Sequence, residues 1–209
     1  AYEKVAENSI WNIAEKSPLI RKFIEKNLSS GNRYIYSLLP SQREVISDVL
    51  TPKKSIVVGM PTSAGKSFLA EMQILFSIHN FKTAEFSPTI CYVVPTNALI
   101  DQVKIDLQSD FKDFKFNIET ALPYYDVDEI ENEILMREHI DILISTPEKL
   151  EALVRQNHPS IKNTRLVILD EAHNLGDASR GSKFELVLSS IKQNMKEANF
   201  LLLSPFISN

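Results

Sequence analysis

The fold of this chain is decided by the stretch from Ser55 to Glu71, which reads SIVVGMPTSAGKSFLAE. Its apolar, β-branched residues 56–58 predict a buried strand, and the apolar residues from position 68 onward predict a helix. A loop of small residues that ends in Gly65-Lys66-Ser67 separates the two. This arrangement holds nucleotide phosphates, because backbone N–H groups and the positive end of the helix dipole converge on the anion.

Two side chains of this loop have specific predicted roles. Lys66 reaches the β- and γ-phosphates, and the Ser67 hydroxyl holds Mg²⁺. The strict phosphate-loop pattern has glycine five residues before Gly65, where this chain has Met60. The alternative is an ordinary turn before a helix, with Lys66 facing solvent. The order of strand, loop and helix favours nucleotide binding.

A second segment supplies the acidic groups that phosphoryl chemistry needs. Four consecutive apolar residues, 166–169, predict a buried strand that holds Asp170 at the carboxyl edge of a sheet, where it binds Mg²⁺ directly or through water. Glu171 is placed to orient and deprotonate an attacking water. The alternative is a strand that ends in an acidic turn. Together with the phosphate loop, the segment predicts ATP-dependent phosphoryl chemistry.

Composition limits the classes of protein to consider. The chain has 209 residues, 44% of them hydrophobic and 24% charged, which suits one compact α/β domain with room for a small appendage. A net charge of −4 does not favour nucleic-acid binding by bulk electrostatics, so a nucleic acid would need a local contact surface.

Cysteine usage and hydropathy indicate the compartment. The single cysteine, Cys91, lies in an apolar run and is predicted to be a small buried side chain, which fits a reducing environment and an intracellular location, cytoplasmic or nuclear. No apolar run approaches the ~20 residues of a membrane span, and no signal peptide is recognisable. The chain starts without methionine and stops abruptly at Asn209, so we expect a piece of a longer protein.

The order of elements predicts the architecture. Residues 1–36 carry two helical patterns and are predicted to be a helical lead-in, and residues 37–209 form the main domain. Strands alternate with helices, which predicts a mainly parallel sheet with helices on both faces and ligands at the carboxyl ends of the strands. Further strands are predicted at 89–94, 116–121, 141–145, 165–169 and 199–204.

Three other segments have alternative interpretations. Gln42 is either a surface residue or an adenine contact, since an amide both donates to and accepts from the base edge. Tyr124 and Tyr125 either stack on bases or cover the sheet edge, before a predicted helix with an acidic first turn. The alternating aromatic and basic residues 111–116 favour a half-buried strand over a nucleic-acid contact.

With these motifs in place, the chain resembles the first RecA-like domain of superfamily-two DExH (DEAH-box) helicases, and specifically their Ski-like branch. The similarity spans about Leu38 to Ser204. The matching motifs are Pro61-Thr-Ser-Ala-Gly-Lys-Ser67 (motif I), Pro40-Ser-Gln42 (Q motif), Pro95-Thr-Asn-Ala-Leu99 (motif Ia), Ser145-Thr-Pro-Glu-Lys149 (the later strand-binding motif), Asp170-Glu-Ala-His173 (motif II), and Leu175-Gly-Asp with Arg180-Gly181 and Glu185 (the Ski-like extension).

The resemblance implies a P-loop NTPase that uses ATP and Mg²⁺ and moves on single-stranded DNA or RNA. It implies catalytic roles for Lys66, Asp170, Glu171 and His173, and metal binding by Ser67 and Asp170. The remaining roles that it implies are nucleotide binding by Gln42, Pro61, Thr62, Ser63, Ala64, Gly65, Lys66 and Ser67, and nucleic-acid contacts by Pro95, Thr96, Asn97, Thr146 and Pro147.

Two departures leave rival functions open. The chain reads Ser204-Pro205-Phe206 where the family has Ser-Ala-Thr, so the threonine hydroxyl that helps connect hydrolysis to strand separation is absent. The second RecA-like domain with its arginine finger is not in this sequence, and we expect residues 1–209 alone to be inactive. A duplex translocase that does not unwind and an ATP-switched scaffold module are the alternatives to a helicase.

Overall fold

The computed structural model of the chain describes residues 8–30, 36–61, 64–121, 139–172 and 181–205. Within them, six strands form one sheet in the order β1-β6-β5-β2-β4-β3, and every neighbouring pair is parallel. The strands are β1 (Ile56–Gly59), β2 (Thr89–Val93), β3 (Ile118–Thr120), β4 (Ile142–Ser145), β5 (Thr164–Leu169) and β6 (Asn199–Ser204).

Helices cover both faces of this sheet. They are α1 (Pro18–Ser30), α2 (Pro40–Val49), α3 (Lys66–Phe81), α4 (Asn97–Asp110), α5 (Pro147–Arg155) and α6 (Gly181–Asn194), with short 3₁₀ helices at Ile10–Lys16 and Pro159–Ile161. One core cluster joins α1, α2 and α3 to one face of the sheet, and a second joins α5 and α6 to the other. The predicted parallel α/β architecture is confirmed.

The central strands are buried on both faces, which is why they read as continuous apolar runs. All five residues of β2 and all four of β4 are buried, Cys91 among them. The prediction of a buried strand at residues 56–58 is wrong in part, because β1 lies at an edge of the described sheet. There Val58 is buried but Val57 is 71% exposed.

The N-terminal helices pack on the helix that follows the phosphate loop. Apolar residues of α1 and of the preceding 3₁₀ helix belong to the same core cluster as α3. Residues 10–16 form a 3₁₀ helix instead of the predicted α-helix, so Ile10 and Ile13 share one buried face at three-residue spacing while Trp11 is 43% exposed. The boundary at residue 36 between lead-in and main domain stays a prediction.

Helix α3 is buried almost all round, although its sequence predicts one inward stripe. The apolar residues Leu69, Met72, Leu75 and Phe76, whose spacing predicts one inward helix face, are buried. Polar positions such as Gln73 are buried too, because α1 and α2 cover the side of α3 that faces away from the sheet. Neighbouring helices thus override the amphipathic pattern of this segment.

The predicted half-buried strand at residues 111–116 is wrong. These residues form a turn after α4, and Phe111, Phe114 and Phe116 pack together, with ring centroids 5.4–5.8 Å apart. The Phe111 ring also meets Phe23 of α1 edge-on at 6.1 Å, and Lys22 lies 4.7 Å from the centroid of Phe114. The aromatic residues of this turn therefore hold α1 against the domain.

Several predictions fall outside the described residues. These are Thr62 and Ser63 of the phosphate loop, the Tyr124–Tyr125 pair with the helix predicted after it, His173 of motif II and the extension up to Arg180. Among the residues that are described, no helix is long and apolar enough to cross a membrane.

Candidate functional site

The phosphate loop leads from β1 into the first turn of α3, as the sequence predicts. Gly65 precedes the helix with φ +77°, a left-handed conformation that favours glycine. A Cβ at this position would lie 2.3 Å from Nε2 of Gln42, so no larger residue fits without displacing that side chain. The loop also closes on itself, because Ala64 N–H donates to the Pro61 carbonyl at 3.0 Å.

Met60, which stands where the strict pattern has glycine, belongs to the core. Its side chain is 1% exposed, and its N–H donates to the carbonyl of Ser204 at 3.0 Å. That bond continues the pairing of β1 with β6 past the end of β1. The methionine therefore fixes the start of the loop by apolar packing at the carboxyl edge of the sheet.

The ion pair between Lys66 and Glu171 joins the two halves of the predicted site. The ammonium Nζ lies 3.2 Å from Oε1 of Glu171, although the residues are far apart in the chain. The Lys66 side chain is 6% exposed and that of Glu171 is 28% exposed. The alternative of a solvent-facing Lys66 is therefore wrong: the phosphate loop and the acidic pair meet at one edge of the sheet.

Asp170 is held at the end of β5 by three hydrogen bonds. Its N–H donates to the Val93 carbonyl at 2.9 Å, and its Oδ1 accepts from the Glu171 N–H at 2.8 Å. Its Oδ2 accepts from the hydroxyl of Tyr92 at 3.1 Å. Burial raises the pKa of Asp170, and the hydrogen bonds from Glu171 and Tyr92 partly oppose that rise.

Tyr92 is a site residue that the sequence analysis missed. Burial, followed by the charge of Asp170, raises the pKa of Tyr92 well above its usual value, so the hydroxyl keeps its proton and donates. The signal was a tyrosine within a strand whose other residues are small or aliphatic, because a buried hydroxyl usually has a hydrogen-bond partner. Glu171 follows with φ +52°, an uncommon conformation for a residue other than glycine.

Gln42 lies directly behind the phosphate loop. Its side chain is 4% exposed, Oε1 accepts from the Leu39 N–H at 2.9 Å, and Nε2 donates to the Gly65 carbonyl at 3.2 Å. The interpretation as a surface glutamine is wrong. Its amide links the start of α2 to the residue that precedes Lys66.

The remaining predicted site residues that the structure describes lie at the same edge of the sheet but differ in their exposure to solvent. Ser67 is exposed in the first turn of α3. At the ends of the neighbouring strands β2 and β4, Thr96 and Asn97 are exposed, Pro95 is half-buried, and Thr146 and Pro147 are buried. Side-chain contact with a nucleic acid is thus available at Thr96 and Asn97 and is much restricted at Thr146 and Pro147.

Comparison with known proteins shows to which family the chain belongs. The sequence pattern of DEAD/DEAH box helicases matches residues 39–205. The chain belongs to the DEAD/DEAH box helicase family. This confirms the predicted superfamily, while the Ski-like branch stays a prediction.

Two curated proteins are similar to the chain over part of their own length. Hachiman protein HamB of Bacillus cereus is 28% identical over 216 residues, which cover 100% of this chain and 18% of that protein. ATP-dependent DNA helicase Hel308 of Methanococcus vannielii is 29% identical over 159 residues, covering 76% of this chain and 20% of its own. The chain thus spans about a fifth of the length of these curated relatives.

Solved structures show the same fold. The crystal structure of DUF1998 helicase MrfA bound to DNA and AMPPNP aligns with a TM-score of 0.73 at 23% identity, covering 90% of this chain and 26% of that one. A second crystal structure of DUF1998 helicase MrfA aligns with a TM-score of 0.72 at 22% identity, covering 90% of this chain and 29% of that one. These alignments confirm the RecA-like architecture of the DEAD/DEAH box domain.

Proposed function

We propose that this domain is the N-terminal ATP-binding domain of an ATP-dependent nucleic-acid helicase. Joined to a second RecA-like domain, it hydrolyses ATP to move on or unwind nucleic acid. The observation that carries the proposal is the 3.2 Å contact between Lys66 and Glu171, which brings the phosphate loop and the acidic pair to one edge of a parallel sheet. ATP-dependent activity is named for Hel308, and the MrfA structure contains AMPPNP, which supports ATP as the nucleotide.

The charges of the site suit a nucleotide with its metal. Lys66 is a compact cation for the β- and γ-phosphates, and its movement towards them would free the Glu171 carboxylate to take a proton from water. Asp170 and the exposed hydroxyl of Ser67 would hold Mg²⁺, which binds through one or two carboxylates plus substrate phosphates. When bound, Mg²⁺ neutralises charge that develops on the phosphates.

The proposed nucleic-acid track crosses the ends of two neighbouring strands. Helix α4 begins at Asn97, after β2 ends at Val93, and helix α5 begins at Pro147, after β4 ends at Ser145, so two helix N-termini lie at the same edge of the sheet. Backbone N–H groups at the start of α4 suit phosphates, and the exposed Thr96 and Asn97 add side-chain donors, whereas α5 begins with Pro147, which has no N–H. Such contacts hold a single strand without reading bases, and the names of the relatives favour DNA over RNA.

The proposal is tested by ATP turnover of the full-length protein with and without single-stranded DNA or RNA. We expect ATP hydrolysis that depends on the nucleic acid. An equal rate of turnover with and without DNA or RNA would contradict a function as a nucleic-acid motor. A strand-displacement assay then separates unwinding from translocation on duplex. The translocase stays open because the chain reads Ser204-Pro205-Phe206 where the resembled family has Ser-Ala-Thr, so the threonine hydroxyl that helps connect hydrolysis to strand separation is absent.

The chain of residues 1–209 alone is predicted to show no appreciable ATPase activity, even with saturating single-stranded DNA or RNA. An arginine that meets charge in the transition state is worth about 10³- to 10⁵-fold in rate. Arg155 is 67% exposed and pairs with Glu151, and Arg165 stacks on Phe86 at the amino end of β5, away from the site. Steady-state turnover of the purified chain is the measurement.

Two outcomes separate the possibilities for that arginine. Robust, nucleic-acid-stimulated turnover by residues 1–209 would show that the arginine is internal, and Arg180, which lies outside the described residues, would be the first to replace. Absence of turnover, together with activity of the full-length protein, supports an arginine supplied by the second domain.

Replacing Gln42 with alanine is predicted to lower the ratio of ATP to GTP affinity roughly tenfold, the value of a hydrogen bond of about 1–1.5 kcal/mol. The same change leaves the Leu39 N–H and the Gly65 carbonyl without their amide partner, so we also expect a lower melting temperature. The measurement is the affinity of the full-length protein for ATP and for GTP, with and without the Gln42→Ala change. An unchanged ratio with reduced stability would make Gln42 a structural bridge only.

A further inference from the structure

The hydroxyl of Tyr92 reaches Asp170 because of the register of two neighbouring strands. Tyr92 of β2 pairs with Ile168 of β5, and Asp170 lies two residues beyond Ile168. Residues two apart in an extended chain point to the same side of the sheet, so the tyrosine and the carboxylate share one face. The ring is 3% exposed, and its hydroxyl donates to Oδ2 at 3.1 Å.

Among the residues that the structure describes, each oxygen of Asp170 accepts a hydrogen bond from one donor. Oδ1 accepts from the Glu171 N–H at 2.8 Å, while Oδ2 accepts from Tyr92. A carboxylate oxygen has two lone-pair sites, so each oxygen keeps one for an ion or a water. Two donors that come from different strand ends fix the plane of the carboxylate, which a single donor would leave free to rotate.

We propose that Tyr92 is a positioning residue that orients Asp170 for the divalent cation of the bound nucleotide. Tyr92 acts through Asp170 and touches neither the metal nor the phosphates. Groups that hydrogen-bond to ligating carboxylates orient them, and their removal typically costs about 10- to 100-fold in metal affinity or activity. The inference rests on the proposed function, since it assigns Asp170 to the metal.

The test uses the full-length protein and a fluorescent, non-hydrolysable ATP analogue titrated with Mg²⁺. Tyr92→Phe keeps the buried ring and removes only the hydroxyl. We expect the half-saturating Mg²⁺ concentration to rise about 10- to 100-fold, with affinity for the analogue in the absence of Mg²⁺ unchanged. If Tyr92 only stabilised the fold, Tyr92→Phe would not raise the half-saturating Mg²⁺ concentration while leaving the Mg²⁺-free affinity for the analogue unchanged.

A matched control comes from the other end of the same strand. Thr89 is 2% exposed and its hydroxyl donates to the Ile140 carbonyl at 2.9 Å, so Thr89→Val also removes one buried hydroxyl donor from β2. We expect Thr89→Val to lower stability. Its half-saturating Mg²⁺ concentration should stay within about twofold of the wild-type value, because the free-energy effects of independent sites agree to about that margin.

A rescue variant keeps the proposal falsifiable if Tyr92→Phe folds poorly. Incorporation of 4-aminophenylalanine at position 92 restores a donor to Oδ2, and we expect it to recover most of the Mg²⁺ affinity. An unchanged Mg²⁺ dependence of Tyr92→Phe, or failure of the amino group to rescue it, would overturn the inference. If wild-type protein shows no Mg²⁺-dependent binding of the analogue, the proposed function itself fails.

Discussion

Replacing Lys66 with alanine in the full-length protein is expected to abolish productive ATP binding and to lower turnover by about 10²- to 10³-fold, the usual cost of losing a charge-stabilising donor. The side chain is 6% exposed and already lies at the carboxyl edge of the sheet, held there by Glu171. Neutralising the phosphates would therefore require only a shift of a buried ammonium. Equilibrium binding of ATP and steady-state turnover are the measurements.

A surface lysine provides the control for this loss. Lys54 lies just before β1 and pairs with Asp48, with 46% of its side chain exposed. Exposed ion pairs contribute about 0–1 kcal/mol, so Lys54→Ala should leave ATP affinity and turnover close to those of the wild type. A Lys66→Ala protein with wild-type ATP affinity and turnover would contradict the assignment of this loop to phosphate binding.

Glu171→Gln is expected to separate binding from chemistry. The amide keeps the shape of the side chain but cannot accept a proton from water, so turnover should fall by about 10²- to 10⁴-fold while ATP affinity is retained. A single-turnover measurement with radiolabelled ATP reports both quantities. The bound nucleotide should persist as ATP.

The control for Glu171 is a second half-buried glutamate in an ion pair. The side chain of Glu151 is 26% exposed, close to the 28% of Glu171, and it pairs with Arg155 at 3.5 Å on α5. Glu151→Gln should leave turnover unchanged. If Glu171→Gln and Lys66→Ala are equally unable to bind ATP, Glu171 serves to hold the loop and is not the base.

Sequence alone predicts much of the fold because the relevant signals are local and strong. The strands at 89–94, 141–145 and 199–204 are buried apolar runs, and their observed bounds differ by at most one residue. Parallel topology then predicts that residues after β1 and after β5 share an edge, which places Lys66 beside the acidic pair without knowledge of any distance.

Features that depend on neighbours in space are not predictable in this way. The alternating residues 111–116 have the period of a strand, but the Phe111 and Phe114 rings find partners on α1. The burial of Gln42 depends on how closely α2 approaches Gly65. The contact of Tyr92 with Asp170 depends on the register between β2 and β5, which no local pattern encodes.

The most direct test of the central claim is equilibrium binding of a non-hydrolysable ATP analogue to the full-length protein, with and without Mg²⁺. If Lys66, Asp170 and Ser67 form one nucleotide site, binding is saturable, strengthened by Mg²⁺ and displaced by ATP. Absence of saturable binding, or binding that does not respond to Mg²⁺, would contradict the account.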